Sequence, residues 1–238
     1  MTAIFKRELR SYFTTPLAYV FLGVFLAASG LCFSLLTMLT TVAGSDSDTS
    51  SYFSVLMYAF VVLIPLLTMK SFAEERKSKT EQLILTSKVS LPGMVIGKFL
   101  AAFSVFGIGM LLSCLFFSVL NMYGAPNKAR LFGSVLSLFL IGAAFISIGL
   151  FISALTKSQL VAAIGTIAVL LAFLTISLLK SYIDSSALRE VINWISIYSR
   201  FQNFSYGIFD ISAILYYVSI CFVFLFGTVR VYESRRWA

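Results

Sequence analysis

Histidine is absent from this 238-residue chain, and charge is scarce: only 12% of residues are Asp, Glu, Lys or Arg. Soluble domains carry about twice that share, so a solvent other than water is needed for much of the surface. The lack of imidazole removes the commonest general base and the commonest metal ligand. The three cysteines, Cys32, Cys114 and Cys221, all fall inside apolar stretches without paired spacing. That pattern fits small core residues, not a disulfide framework or a metal centre. Carboxylates are missing from the apolar stretches too, which leaves proton-coupled carriers and intramembrane hydrolases without their usual groups.

What the chain has instead is apolar length. Six runs stand out: Leu17–Leu39, Phe53–Met69, Phe99–Leu120, Leu131–Leu155, Leu160–Leu179 and Ile211–Val229. None contains a charged residue, and one mid-span charge costs about 2.5–3.5 kcal/mol on insertion scales. We read an all-α integral membrane protein of six transmembrane helices, a single transmembrane domain over residues 1–238. The first run is too long for a signal-peptide core and is taken as the first span.

An even number of spans puts both termini on one side. Thirteen of the 18 Lys and Arg fall on that side, from Lys6, Arg7 and Arg10 at the start to Arg230, Arg235 and Arg236 at the end. Five fall opposite: Lys128, Arg130, Lys180, Arg189 and Arg200. The bias predicts that both termini are cytoplasmic. The net charge of +8 suits contact with anionic headgroups, and its scatter over short loops argues against a nucleic-acid partner.

Three connections carry their own pattern. In residues 1–16, Phe5, Leu9 and Phe13 recur at helical spacing while Lys6, Arg7 and Arg10 stay polar, which predicts an interfacial helix broken from the first span by Pro16. Residues 70–90 mix both signs of charge and then turn apolar at Leu83-Ile84-Leu85, as a docking helix would; a plain topology anchor needs only Lys and Arg. Residues 180–210 place Leu188, Val191, Ile192 and Ile195 on one face with Trp194 beside them, predicting a second interfacial helix on the outer side before the sixth span. The nearest phosphate-binding pattern, Gly93 to Lys98, is a residue short between its glycines, lacks the Ser or Thr for magnesium and follows no strand. No catalytic, cofactor or metal residues are assigned to this chain.

Three segments carry a resemblance. Ser71-Phe72-Ala73-Glu74-Glu75-Arg76 followed by Thr80-Glu81-Gln82-Leu83 resembles the stretch between the second and third spans of ABC-2 type permeases. Phe151 to Ala163 looks like their turn between the fourth and fifth spans. Phe201-Gln202-Asn203-Phe204-Ser205-Tyr206-Gly207, with Tyr216-Tyr217, is similar to their entry into the last span. Order and spacing run the length of the chain, and the likeness is greatest to the short six-span permeases of the gliding-motility type. The resemblance implies an exporter subunit, not an enzyme, with a second permease copy or paralogue, an extracytoplasmic accessory protein in some systems, and separate cytoplasmic ABC ATPase subunits that bind ATP and Mg. It also implies that Phe72, Glu74, Glu75, Arg76, Glu81 and Leu83 line or flank the ATPase contact. An amphiphilic or polymeric cargo fits uncharged spans better than a small ion. A non-transporting anchor or sensor that recruits an ATPase, and a secondary carrier, are the alternatives from other classes.

Overall fold

The computed structural model describes residues 2–39, 49–78, 80, 90–123, 127–179, 196–208 and 210–237, and these are helical with no strand among them. In chain order the helices are α1 (Thr2–Thr14), α2 (Leu17–Cys32, continued by a π-helical turn over Phe33–Met38), α3 (Ser50–Lys77), α4 (Leu91–Ser113) and α5 (Leu115–Tyr123). They continue with α6 (Lys128–Leu155), α7 (Gln159–Leu179), α8 (Ile197–Ser205) and α9 (Ile211–Trp237). Six segments are long and apolar enough to cross a bilayer, one for each run read in the sequence, α4 and α5 together making the third.

The helix ends follow local chemistry. Pro16 stands immediately before α2 and separates it from α1, as its ring demands. Ser90 is extended and Pro92 occupies the first turn of α4, where a missing N–H costs nothing. Asn127 caps α6, its side chain accepting from the backbone N–H of Ala129 and Arg130.

Several spans are longer than their apolar runs, α3, α4 and α9 by two turns or more. α3 has 28 residues, about 42 Å of helix against a hydrocarbon core of about 30 Å. It therefore runs on past Met69 through Lys77, taking Phe72, Glu74, Glu75 and Arg76 into the helix. α4 likewise begins at Leu91 and not at Phe99, which brings Lys98 inside it.

α3 and α6 form the centre of the bundle: 61% of the most apolar stretch of each is buried, against 17% for α9. They approach closely because small residues allow it. A Cβ on Gly149 of α6 would collide with the Thr68 side chain of α3, and one on Gly142 would collide with the Phe106 ring of α4. Around this seam Phe25, Phe60 and Phe106 stack edge and face at centroid distances of 5.1 to 6.5 Å.

The outer interfacial expectation divides. Leu188, Val191, Ile192, Trp194 and Ile195 lie outside the described residues. Directly after them comes α8, whose buried Ile197, Phe201 and Phe204 sit at i, i+4 and i+7 and pack on the bundle. The Tyr217 hydroxyl donates to the Ile197 carbonyl at 3.0 Å. Asp210 then starts α9 by accepting from the Ser212 N–H at 2.9 Å.

Candidate functional site

At the end of the bundle that carries both chain termini, α1 crosses the end of α3 and the start of α4. The apolar face expected of α1 is where it packs: Phe5, Leu9 and Phe13 are half-buried against the core and Tyr12 is buried. The Tyr12 hydroxyl donates to the Leu67 carbonyl of α3 at 2.9 Å. Burial pushes the Tyr12 phenol up, and the nearby Glu8 charge pushes the same way, so it stays a proton donor.

Above Tyr12 four charged groups close into a ring of alternating sign. Arg7 meets Glu8 at 2.7 Å, Glu8 meets Lys98 at 3.3 Å, Lys98 meets Glu75 at 2.9 Å, and Glu75 meets Arg7 at 3.2 Å. Lys98 is the buried member, with its side chain 1% exposed. A bare ammonium there would cost several kcal/mol, and its surroundings compensate. It donates to the Ser71 carbonyl at 2.8 Å and lies 5.0 Å from the centre of the Phe72 ring. The Arg7 guanidinium is held above its ordinary pKa, chiefly by its hydrogen bond to Glu8 and further by the Glu8 and Glu75 charges, against partial burial. Beside the ring opens a cavity of about 480 Å³, lined by Ser11, Tyr12, Lys70, Glu74 and Thr80 among others.

The same stretch of α3 is also held from α6 and α9. The Ser153 hydroxyl donates to the Met69 carbonyl at 3.2 Å and accepts from the N–H groups of Phe72 and Ala73 at 3.2 and 3.1 Å. Arg76 donates to the Leu155 carbonyl at 2.8 Å, at the C-terminus of α6. Arg235 of α9 donates to the adjacent Ala154 carbonyl. Two guanidinium groups thus serve the orphan carbonyls of one helix end, where the dipole also favours them.

These positions revise the sequence reading residue by residue. Phe72, expected at a partner contact, is fully buried against Tyr232 and Lys98. Glu75, expected as a rim charge, points into the ring. The reason is the continued helix: once α3 runs past Met69, Ser71, Phe72 and Glu75 turn to the bundle while Glu74, Lys77 and Ser78 turn away. Arg76 is half-buried and Glu74 is exposed. Glu81 and Leu83 lie outside the described residues. Lys98, counted in the sequence only as a flanking charge, is the centre of the site. A basic residue five places after Gly93 of a Pro-Gly pair and just ahead of an apolar run was its only signal.

The site has the means to bind helices together. Among the described residues no cluster of His, Cys, Asp or Glu is placed to hold a metal. What it can do chemically is keep three helix ends in one relation, or release them.

Comparison with known proteins bears on what such a bundle serves. No curated protein matches the chain. A family model described as ABC-2 family transporter protein matches residues 37–229, from the end of the first span well into the sixth. Six apolar helices, a buried α3–α6 centre and that match together identify the chain as a membrane permease that belongs to the ABC-2 transporter family.

Proposed function

We propose that this permease is the membrane-spanning subunit of a bacterial ATP-driven exporter, powered through contact with a separate cytoplasmic ABC ATPase at the segment that follows α3. Both termini and residues 70–90 then face the cytoplasm, in line with the bias of Lys and Arg. The observation that carries the reading is how α3 ends. Its last two turns are bonded to α1, α4 and α6 by side chains, so a force on the residues beyond Lys77 reaches three other helices at once. A segment that only anchored topology would need none of these bonds.

The surface offered to the ATPase is narrower than the sequence suggested: Glu74, Lys77, Ser78 and Thr80 are exposed, with Glu81 and the apolar Leu83-Ile84-Leu85 following in sequence. ATP and Mg stay on the partner. A second permease chain, identical or related, completes the path, and the uncharged spans suit an amphiphilic or polymeric cargo. Likeness to the gliding-motility type of short permease supports this arrangement.

Cysteines at Lys77, Thr80 and Leu83, in a chain without its native three, test the reading. They are expected to crosslink to the co-expressed ATPase. Truncating Leu83 is expected to uncouple the pair: hydrolysis persists, no longer answers to cargo, and transport falls. Absence of any crosslink, with full transport after replacement of Leu83, would rule the proposal out and favour a secondary carrier.

A further inference from the structure

Across Leu67–Ala73, the backbone of α3 is bonded by side chains from three other helices. Tyr12 of α1 donates to the Leu67 carbonyl, Ser153 of α6 to the Met69 carbonyl, and Lys98 of α4 to the Ser71 carbonyl. The Ser153 contact differs in kind from the others. An α-helix joins the carbonyl of Met69 directly to the N–H of Ala73. The Ser153 hydroxyl sits on both, donating to the first and accepting from the second, and it takes the Phe72 N–H as well. A side chain inserted in the ladder is one of the few recognised causes of a bend in a helix. Pro65, one turn earlier, already leaves a carbonyl of α3 without its ladder donor.

α1 grips α3 on both sides of that insertion. Tyr12 holds Leu67 before it, while Arg7 and Glu8 hold the ring of Glu75 and Lys98 after it. Tyr12 and Glu8 lie one turn apart on one face of α1, so a single rigid helix spans the weak point of another.

We propose that α3 hinges at Met69–Ala73 about the Ser153 hydroxyl, and that α1 is a splint that sets the hinge angle. With the splint engaged, the end of α3 has one orientation. With Tyr12 and Arg7 released, the turns beyond Ala73 swing while the buried part of α3 stays seated on α6. Use of this hinge in coupling rests on the reading that the following segment meets an ATPase; the hinge itself does not.

The test needs neither ATPase nor cargo. Nitroxide labels on Lys77→Cys and Lys157→Cys, in the full chain with Cys32, Cys114 and Cys221 replaced by serine and held in lipid nanodiscs, report the end of α3 against the turn after α6. A second pair, Ser51→Cys and Lys128→Cys, reports the opposite end of the same two helices. Tyr12→Phe with Arg7→Gln keeps the helix of the splint and removes both of its direct bonds to α3, to the Leu67 carbonyl and to Glu75. It is expected to broaden the distance distribution of the first pair and leave that of the second unchanged. Ser153→Ala leaves the Met69 carbonyl and the Ala73 N–H with no partner but each other, and is expected to abolish the broadening. An unchanged first pair, equal broadening of both pairs, or broadening that survives Ser153→Ala would each overturn the hinge. If the double splint variant does not assemble, Tyr12→Phe alone carries the same expectations. Because these readouts are internal to the chain, the hinge can fail while ATPase crosslinking succeeds, and the reverse.

Discussion

Lys98 is the residue on which the site turns, because its ammonium is buried and its neighbours are the reason it can be. Breaking a buried pair by removing one partner costs about 3–5 kcal/mol, since the other charge is left without compensation. In Glu75→Ala, Lys98 keeps Glu8 and the Ser71 carbonyl, so the loss is expected at or below the lower end of that range. The double change Lys98→Met with Glu75→Leu removes both charges and leaves Arg7 paired with Glu8, so much of the stability is expected to return. Denaturation of the purified chain in detergent, followed by intrinsic fluorescence, measures both. Because the Lys98 ammonium is shielded from water, the single-variant loss should persist at high salt, whereas a surface pair would be screened. A double variant no better than Glu75→Ala would mean that the ring stabilises by packing and not by charge.

At the scale of helices, the close approach of α4 and α6 has a sharper dependence on size than on polarity. Gly142→Ala pushes a methyl group into the Phe106 ring, which is buried and stacked with Phe25 and Phe60. Overpacking of this kind costs about 1–3 kcal/mol. Lower thermal stability in detergent is expected, with partial recovery when Phe106→Leu is added; a neutral Gly142→Ala would show that the helices part easily there. The number of spans was legible in the sequence because the hydrocarbon core demands about 20 apolar residues from each helix and tolerates few exceptions. Their ends were not. Charge marks where lipid stops, whereas a helix stops only at a cap or a breaker, so α3 continues through Lys70 and Glu75 and α4 starts at the Ser90–Pro92 signal. The candidate site was half legible for the same reason. Residues 70–77 were recognised as important, but their inward and outward faces depend on helical phase beyond Met69. α8 lies in the segment expected to be helical before the sixth span, but its buried face was not read because Arg200, Gln202 and Asn203 hide the spacing of Ile197, Phe201 and Phe204.

For the whole molecule, the two ends of the bundle differ in chemistry. The end with α1 and the α9 terminus collects most of the Lys and Arg and holds the charged ring, while the other end is built from serines, tyrosines and the α8 cap. Cysteines at Ser78 and Ser234 are expected to react with an impermeant thiol reagent only after permeabilisation, and cysteines at Ser47 and Ser185 in intact cells; the opposite pattern would invert the molecule in its membrane. The ring at the first of these ends contains two positive and two negative groups. A bacterial membrane carries a voltage, and moving one elementary charge through it takes about 2.3 kcal/mol per 100 mV. A rigid displacement of Arg7, Glu8, Glu75 and Lys98 together carries no net charge through that field and so does no electrical work. Only a motion that separates the members feels the voltage, so a swing of the end of α3 away from α1, which parts Glu75 from Arg7, is the step on which a membrane potential can act.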